Sequence, residues 1–142
     1  MNKIFIDTDI ILDLLTKREP HYLYAAKIFS LIEENKIAAF TSPIILANIY
    51  YILARITNRK NSFENIRKLA SFLKIAPIDE QIIILALNSN FKDFEDALQY
   101  YAAKKQEILF LITRNKTDYI VKDITILTAE EYIKMWNSQH HN

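Results

Sequence analysis

The stretch KIFIDTDIILDLL, residues 3–15, changes its hydrophobic period halfway along. Lys3 to Asp7 is a short apolar run of strand type, whereas Ile10, Ile11, Leu14 and Leu15 recur at helical spacing, so strand gives way to helix with Asp7 at the junction. The alternation continues outward. Tyr24, Ile28, Leu31 and Ile32 place one apolar stripe on a helix between Pro20 and Asn35. Ile37 to Thr41 reads as strand, Ser42 as an N-cap and Pro43 as the first residue of a third helix to about Ile56. That helix is apolar nearly all round, which predicts burial in the core or at a subunit interface. The polar TNRKNS run (57–62) ends it, and Ser62 is expected to cap a fourth helix with Phe63, Ile66, Ala70 and Leu73 inward.

A short edge strand is expected near Ile75 to Pro77, a helix from Asp79, and a helix capped by Asp93 running to about Lys105. Ile108 to Thr113 (ILFLIT) is apolar without alternation, as in a strand covered on both faces. Ile124 to Leu127 is the last strand, and Thr128 with Glu131 forms a capping box for a helix ending near Trp136. Residues 137–142 are expected to be a disordered tail. Strands separated by helices predict one three-layer α/β domain with a mainly parallel sheet, whose ligands bind beyond the carboxyl ends of the strands.

Composition removes several function classes. The chain has 142 residues and a net charge of +1, so a polyanion has to be met by a local patch. It contains no cysteine, which excludes disulfides, thiolate metal sites and cysteine nucleophiles and fits a reducing, cytoplasmic setting. It contains no glycine, which excludes the P-loop and the GxGxxG turn and with them nucleotide cofactors of those kinds. The uncharged run Ile37–Ala54 is long enough to span a bilayer, but Thr41, Ser42 and Pro43 split it into a strand and a helix. No membrane association is expected, and the N-terminal apolar run is too short for a signal peptide.

Aspartates gather at element ends. Asp7 ends the first strand, Asp118 follows the ILFLIT strand, and Asp93 and Asp96 open the helix before that strand. If the first and ILFLIT strands are neighbours, Asp7, Asp96 and Asp118 share one crevice. Clustered carboxylates repel unless a cation neutralises them, and hard oxygen donors suit Mg²⁺ or Mn²⁺. Capping competes as an explanation: Asp93 is a natural N-cap with Asp96 at N3, Asp9 could cap the first helix, and Asp118 a short turn. Asp7 resists it, since a carboxylate ending a buried strand, with another two residues later, is costly unless paired or metal-bound.

IDTDIILDLL, TSPIILANIYYIL, KDFEDALQYYAA and LFLITRNKTDY resemble, in order, the successive motifs of the PIN domain, over residues 4 to about 130. The similarity is greatest to the short VapC-like toxins of bacterial toxin–antitoxin pairs. The resemblance implies a three-layer α/β/α fold with a parallel sheet of about five strands. It also implies a Mg²⁺- or Mn²⁺-dependent ribonuclease with Asp7, Asp96 and Asp118 as catalytic metal ligands. Thr113 and Asn115 match the residues that line the same pocket. Asn48 stands where the family generally has a glutamate, and Asp9 or Asp93 is expected to restore the missing charge. Asn48 could equally bond a buried neighbour such as a threonine.

The resemblance further implies hydrolysis by metal-activated water. Arg114 and Lys116 are expected to contact RNA phosphates, with Arg55 and Arg59 in a second basic cluster that tracks RNA or meets an antitoxin. Both groups could also be solvated surface charge. Tyr50 and Tyr51 suggest a homodimer interface, His21 is given no role, and a small antitoxin protein is the implied partner. Two other readings stay open: a PIN-like module that binds RNA or protein without cutting, favoured by Asn48, and a receiver-like phosphoacceptor domain. The latter lacks a convincing phosphoacceptor near Ile75–Asp79 and a lysine after the last strand.

Overall fold

The computed structural model describes residues 2–140. Its strands are β1 (Asn2–Ile6), β2 (Ile37–Thr41), β3 (Lys74–Ile75), β4 (Phe110–Ile112) and β5 (Thr125–Leu127). They form one parallel sheet in the order β3-β2-β1-β4-β5. Its helices are α1 (Thr8–Leu15), α2 (Tyr22–Glu33), α3 (Pro43–Ile56), α4 (Arg59–Phe72), α5 (Glu80–Leu87), α6 (Phe94–Lys105) and α7 (Ala129–Gln139). A 3-10 turn at Lys116–Asp118 follows β4. The expected three-layer α/β/α arrangement is what the chain adopts.

β1 lies in the middle of the sheet and is the reason for the site's position. Its residues Ile4, Phe5 and Ile6 are wholly buried, with Ile4 opposite Phe110 and Ile6 opposite Ile112 on one side and Phe5 opposite Phe40 on the other. From β1 the chain winds outward through β2 to β3, then crosses back through α5 and α6 to β4 on β1's other flank. Winding therefore reverses between β1 and β4, and that switch point opens the crevice in which such sheets bind ligands. The pairing persists past β1, because the Asp7 N–H donates to the Ile112 carbonyl at 3.0 Å.

Local chemistry sets most boundaries. Ser42 accepts from the Ile45 N–H with Pro43 behind it, and Thr128 with Glu131 closes the expected capping box. Asp79 and Asp93 cap α5 and α6. Three helices, α1, α2 and α6, are followed by a left-handed residue, Lys17 (φ 51), Asn35 (φ 58) and Glu107 (φ 58). Glycine ordinarily fills such places; here residues with side chains do so.

Several expectations need correction. Asn58, not Ser62, caps α4 through the Asn61 N–H at 2.8 Å; Ser62 is buried and donates to the Tyr50 carbonyl at 2.7 Å. The inward face accordingly carries Leu69 and Leu73, while Phe63 is exposed. Asp7, not Asp9, caps α1, accepting from the Thr8 N–H at 2.8 Å. β3 covers Lys74–Ile75 and stops before Pro77, which has no N–H to pair. α3 is not buried all round: Tyr51 is 65% exposed, and Ile52 and Ile56 also face outward. The expected disorder of 137–142 fails for Asn137–Gln139, which continue α7, and the His140 ring stacks on Trp136 at 3.6 Å. Residues 141–142 lie outside the described residues.

Candidate metal centre

Beyond the carboxyl ends of β1 and β4 lies a cavity of about 440 Å³, lined by Asp7, Asp9, Asn48, Glu95, Asp96 and Asp118, with Arg18, Arg55 and Arg114 among its other walls. The acids arrive from three parts of the chain. Asp7 is the cap between β1 and α1, Asp9 lies in the first turn of α1, Asp96 in the first turn of α6, and Asp118 ends the 3-10 turn. Asp9 and Asp96 thereby sit at helix N-termini, where the backbone dipole favours negative charge.

Asp7 is held from three sides. Its Oδ1 accepts from the Thr8 N–H, and its Oδ2 accepts from the Thr113 hydroxyl at 3.0 Å and from the Tyr119 hydroxyl at 3.3 Å. The Thr113 oxygen in turn accepts from the Asn115 N–H at 3.1 Å. Asp9 Oδ2 accepts from the Arg114 N–H at 2.9 Å and from the Asn115 amide at 3.4 Å. Asp9 Oδ1 is buried and has no hydrogen-bond partner.

Burial and crowding push these acids toward their protonated forms. Desolvation raises the Asp7 carboxyl, the neighbouring Asp118 charge adds to it, and the bonds from Thr8, Thr113 and Tyr119 pull the other way. Asp9 is pushed up to about 6 by burial first and by Asp7 second. Asp96 is pushed up to about 7 by burial, then by the charges of Asp93, Asp7 and Asp118. Tyr119, buried against Asp7 and Asp96, is raised as well and keeps its proton.

A divalent cation fits this donor set. The groups are hard oxygens, one of them a buried carboxylate oxygen without a partner, and Asp7, Asp9 and Asp96 are destabilised in their charged forms by burial and by neighbouring acids. Among the described residues no three acidic or imidazole groups already close around one point. Mg²⁺ does not need that, since it keeps several waters and takes one or two carboxylates together with substrate phosphate oxygens.

The structure thus brings Asp7, Asp9, Asn48, Asp96, Asn115, Asp118, Arg55 and Arg114 around one cavity or its immediate support. Thr113 lies directly beneath it. Asp93 is not a lining residue of this cavity: its carboxylate caps α6 by accepting from the Asp96 N–H at 3.0 Å. Lys116 is bonded to Glu131 at 2.9 Å, and Arg59 stands at the start of α4, so neither faces the carboxylates.

Sequence reasoning missed Tyr119, whose hydroxyl bonds Asp7, and Arg18 on the cavity wall, and two further groups. Glu95 lines the cavity, and the Asn48 amide donates to its Oε2 across a long 3.5 Å contact, so the neutral residue at 48 meets a carboxylate and not a threonine. The second is the buried Asp13, 1% exposed, whose Oδ2 lies 3.0 Å from Arg114 Nε and whose Oδ1 lies 4.0 Å from Arg18 Nε. Asp13 ties α1 to the segment that clamps Asp9. Its signal was the DTDIILD pattern, which sets an acid four residues after Asp9 on the same helical face.

A sequence model of the PIN domain matches residues 3–117. The chain belongs to the PIN domain family. This PIN domain is also 30% identical to Ribonuclease VapC1 of Aquifex aeolicus over 141 residues, covering 96% of each chain. Among solved structures its fold is similar to that of DNA-bound VapBC from Salmonella typhimurium, with a TM-score of 0.67, 17% identity and coverage of 91% and 99% of the two chains. It is likewise similar to VapC20 of Mycobacterium tuberculosis, a toxin that cleaves the sarcin-ricin loop, with a TM-score of 0.60, 16% identity and coverage of 76% and 86%. PIN-domain ribonucleases generally use a divalent metal, which accords with the donor chemistry around Asp7.

Proposed function

We propose that this PIN domain is an endoribonuclease dependent on Mg²⁺ or Mn²⁺ and the toxin of a type II toxin–antitoxin pair. The observation that carries the reading is the convergence of Asp7, Asp9, Asp96 and Asp118 on one cavity at the sheet's switch point, where burial and the charges of Asp7 and Asp118 raise the proton affinity of their neighbours. Such a cluster is unfavourable until a cation enters it. Its similarity to Ribonuclease VapC1 supplies the substrate class.

Asp7 and Asp96 are the residues that would hold the ion, with Asp118 and Asp9 completing the negative surface. A bound divalent ion supplies activation of water and stabilisation of charge on the phosphodiester. The chain's own residues do the positioning. Thr113 and Tyr119 fix the Asp7 carboxylate, and the Arg114 N–H fixes Asp9. Arg18 and Arg55, on the cavity wall, offer guanidinium groups to phosphate oxygens and guide the strand over the acids.

The partner is proposed to be a small antitoxin protein, since similar folds occur in toxin–antitoxin complexes such as one from Klebsiella pneumoniae. A homodimer is proposed through the outward face of α3, where Tyr51, Ile52 and Ile56 stand uncovered. Action in the cytoplasm accords with a cysteine-free chain. Among the described residues no helix is long and apolar enough to cross a membrane.

The test is cleavage of a mixed tRNA, rRNA and mRNA pool with Mg²⁺ or Mn²⁺, beside EDTA and Asp96→Asn controls. Discrete products that vanish in both controls establish the activity. A second reading, a PIN module that binds RNA or protein without cutting, draws on the neutral Asn48. It takes over if folded wild-type protein binds Mn²⁺ and RNA but releases no product.

A further inference from the structure

A second cleft, of about 590 Å³, opens on the far side of Asp96 and Asp118, which line both spaces. Its floor and walls differ in kind from those of the acid cavity. Phe91 anchors an aromatic cluster, with ring centroids 5.3 Å from Tyr100, 6.5 Å from Tyr101 and 6.3 Å from Tyr119. Phe91 and Tyr101 are half-buried, so part of each ring faces the cleft. Ile120 stands at the rim with 89% of its surface exposed. Lys92, also on the rim, takes part in no ion pair among the described residues.

We propose that this cleft is a nucleobase subsite: it takes one unstacked base of a single-stranded RNA whose neighbouring phosphate lies over Asp96 and Asp118. The inference rests on the ribonuclease reading of the acid cavity and adds a specificity site to it. Three observations favour a base. The size falls within the range of small-ligand pockets, about 300–1,000 Å³. Aromatic side chains beside a phosphate-binding site are how proteins hold bases of single strands, which every base's flat face permits. The shared carboxylates make the two spaces continuous, so base and phosphate of one strand can occupy both, with Lys92 facing the backbone as it leaves.

The aromatic wall also decides against double-stranded RNA as the direct occupant, since a base stacked in a duplex presents no free face. A peptide arm of a protein partner is the competing occupant, and the experiment separates it.

Ile120→Glu places a charge on the rim without disturbing packed structure, because Ile120 is nearly bare; Ile120→Trp enlarges the stacking surface instead. Turnover of single-stranded RNA is compared with that of bis(p-nitrophenyl) phosphate, a phosphodiester with no base. The ratio of RNA to base-free turnover should fall about tenfold in Ile120→Glu and be kept or raised in Ile120→Trp. A 2-aminopurine placed beside the mapped cut should be quenched by wild type and not by Ile120→Glu. An unchanged ratio with unchanged quenching overturns the subsite, and so does an equal loss on both substrates in both variants. If the same variants then lose antitoxin binding, the cleft belongs to a peptide. The ribonuclease reading fails separately: wild type then cuts neither substrate, while quenching of 2-aminopurine scanned along an uncut single-stranded RNA still decides whether the cleft takes a base.

Discussion

Asp9 and Asp96 are carboxyls pushed up to about 6 and about 7 from an ordinary value of 3.8. Across that interval the folded chain holds protons that the unfolded chain has released, so stability falls as pH rises through it. Asp79, Asp123 and Glu131 are shifted downward and act only at more acidic pH. Melting in EDTA should therefore show Tm decreasing from about pH 5 to about pH 8. Asp9→Asn removes one of the raised charges and should stabilise the metal-free protein by about 1–2 kcal/mol at the alkaline end. Calorimetric titration should show Mn²⁺ binding tightening over the same interval as the ligands deprotonate, with Asp96→Asn weakening it about tenfold or more. A sloping Tm that Asp9→Asn leaves untouched would contradict this account.

Asp7, Asp96 and Asp118 were visible in the sequence because acids at strand ends and helix starts are placed by topology alone. Glu95 was not, since it precedes Asp96 directly and neighbours on a helix usually point apart; in the first turn of α6 both line the cavity. The contact of that turn with Asn48 of α3 is a tertiary fact.

At the scale of elements, the α3–α4 hairpin separates two polar residues that look alike in sequence. Asn58→Ala should cost about 1 kcal/mol as a lost cap. Ser62→Ala should cost a similar amount for a different reason, the loss of a buried bond to the Tyr50 carbonyl that holds the two helices together. Urea denaturation of both single variants and the double variant checks this. Capping rules could not separate the two, because Asn58 and Ser62 both belong to one polar run and only packing against α3 buries Ser62. Asp13 has a larger effect. Asp13→Asn leaves the Arg114 guanidinium without its buried counter-charge and should lower stability by about 3 kcal/mol. It should also loosen the clamp on Asp9, measurable as weaker Mn²⁺ binding in a variant that still folds at low temperature. Equal metal affinity in wild type and Asp13→Asn would show that the clamp does not depend on Asp13.

Over the whole molecule, the succession of strands and helices was more legible than strand length. ILFLIT predicted six residues of strand, but only Phe110–Ile112 form β4, since the Thr113 side chain turns to Asp7 and Ile108 follows the left-handed Glu107. The sheet still continues beyond the assigned ends, as the Thr113 N–H donates to the Leu127 carbonyl. One molecule-wide expectation follows from the proposed ligands lying on three separate elements, β1 with α1, α6 and the 3-10 turn. Mn²⁺ at one hundred times its dissociation constant should raise stability by about 2.7 kcal/mol, read as a shift in Tm that EDTA reverses.

The central place of β1 also has a temporal side. During synthesis β1 is made first, yet one of its two neighbours, β4, follows roughly a hundred residues later, and the hydroxyls that fix Asp7 lie 106 and 112 positions downstream. Pairings so distant in sequence form late and slowly. A nascent or truncated chain ending before Phe110 exposes one whole edge of β1, a template for pairing with another chain, and carries neither of the hydroxyls that hold Asp7 in place. Competence for chemistry is therefore expected only once Thr113, Asp118 and Tyr119, in the last third of the chain, are in place.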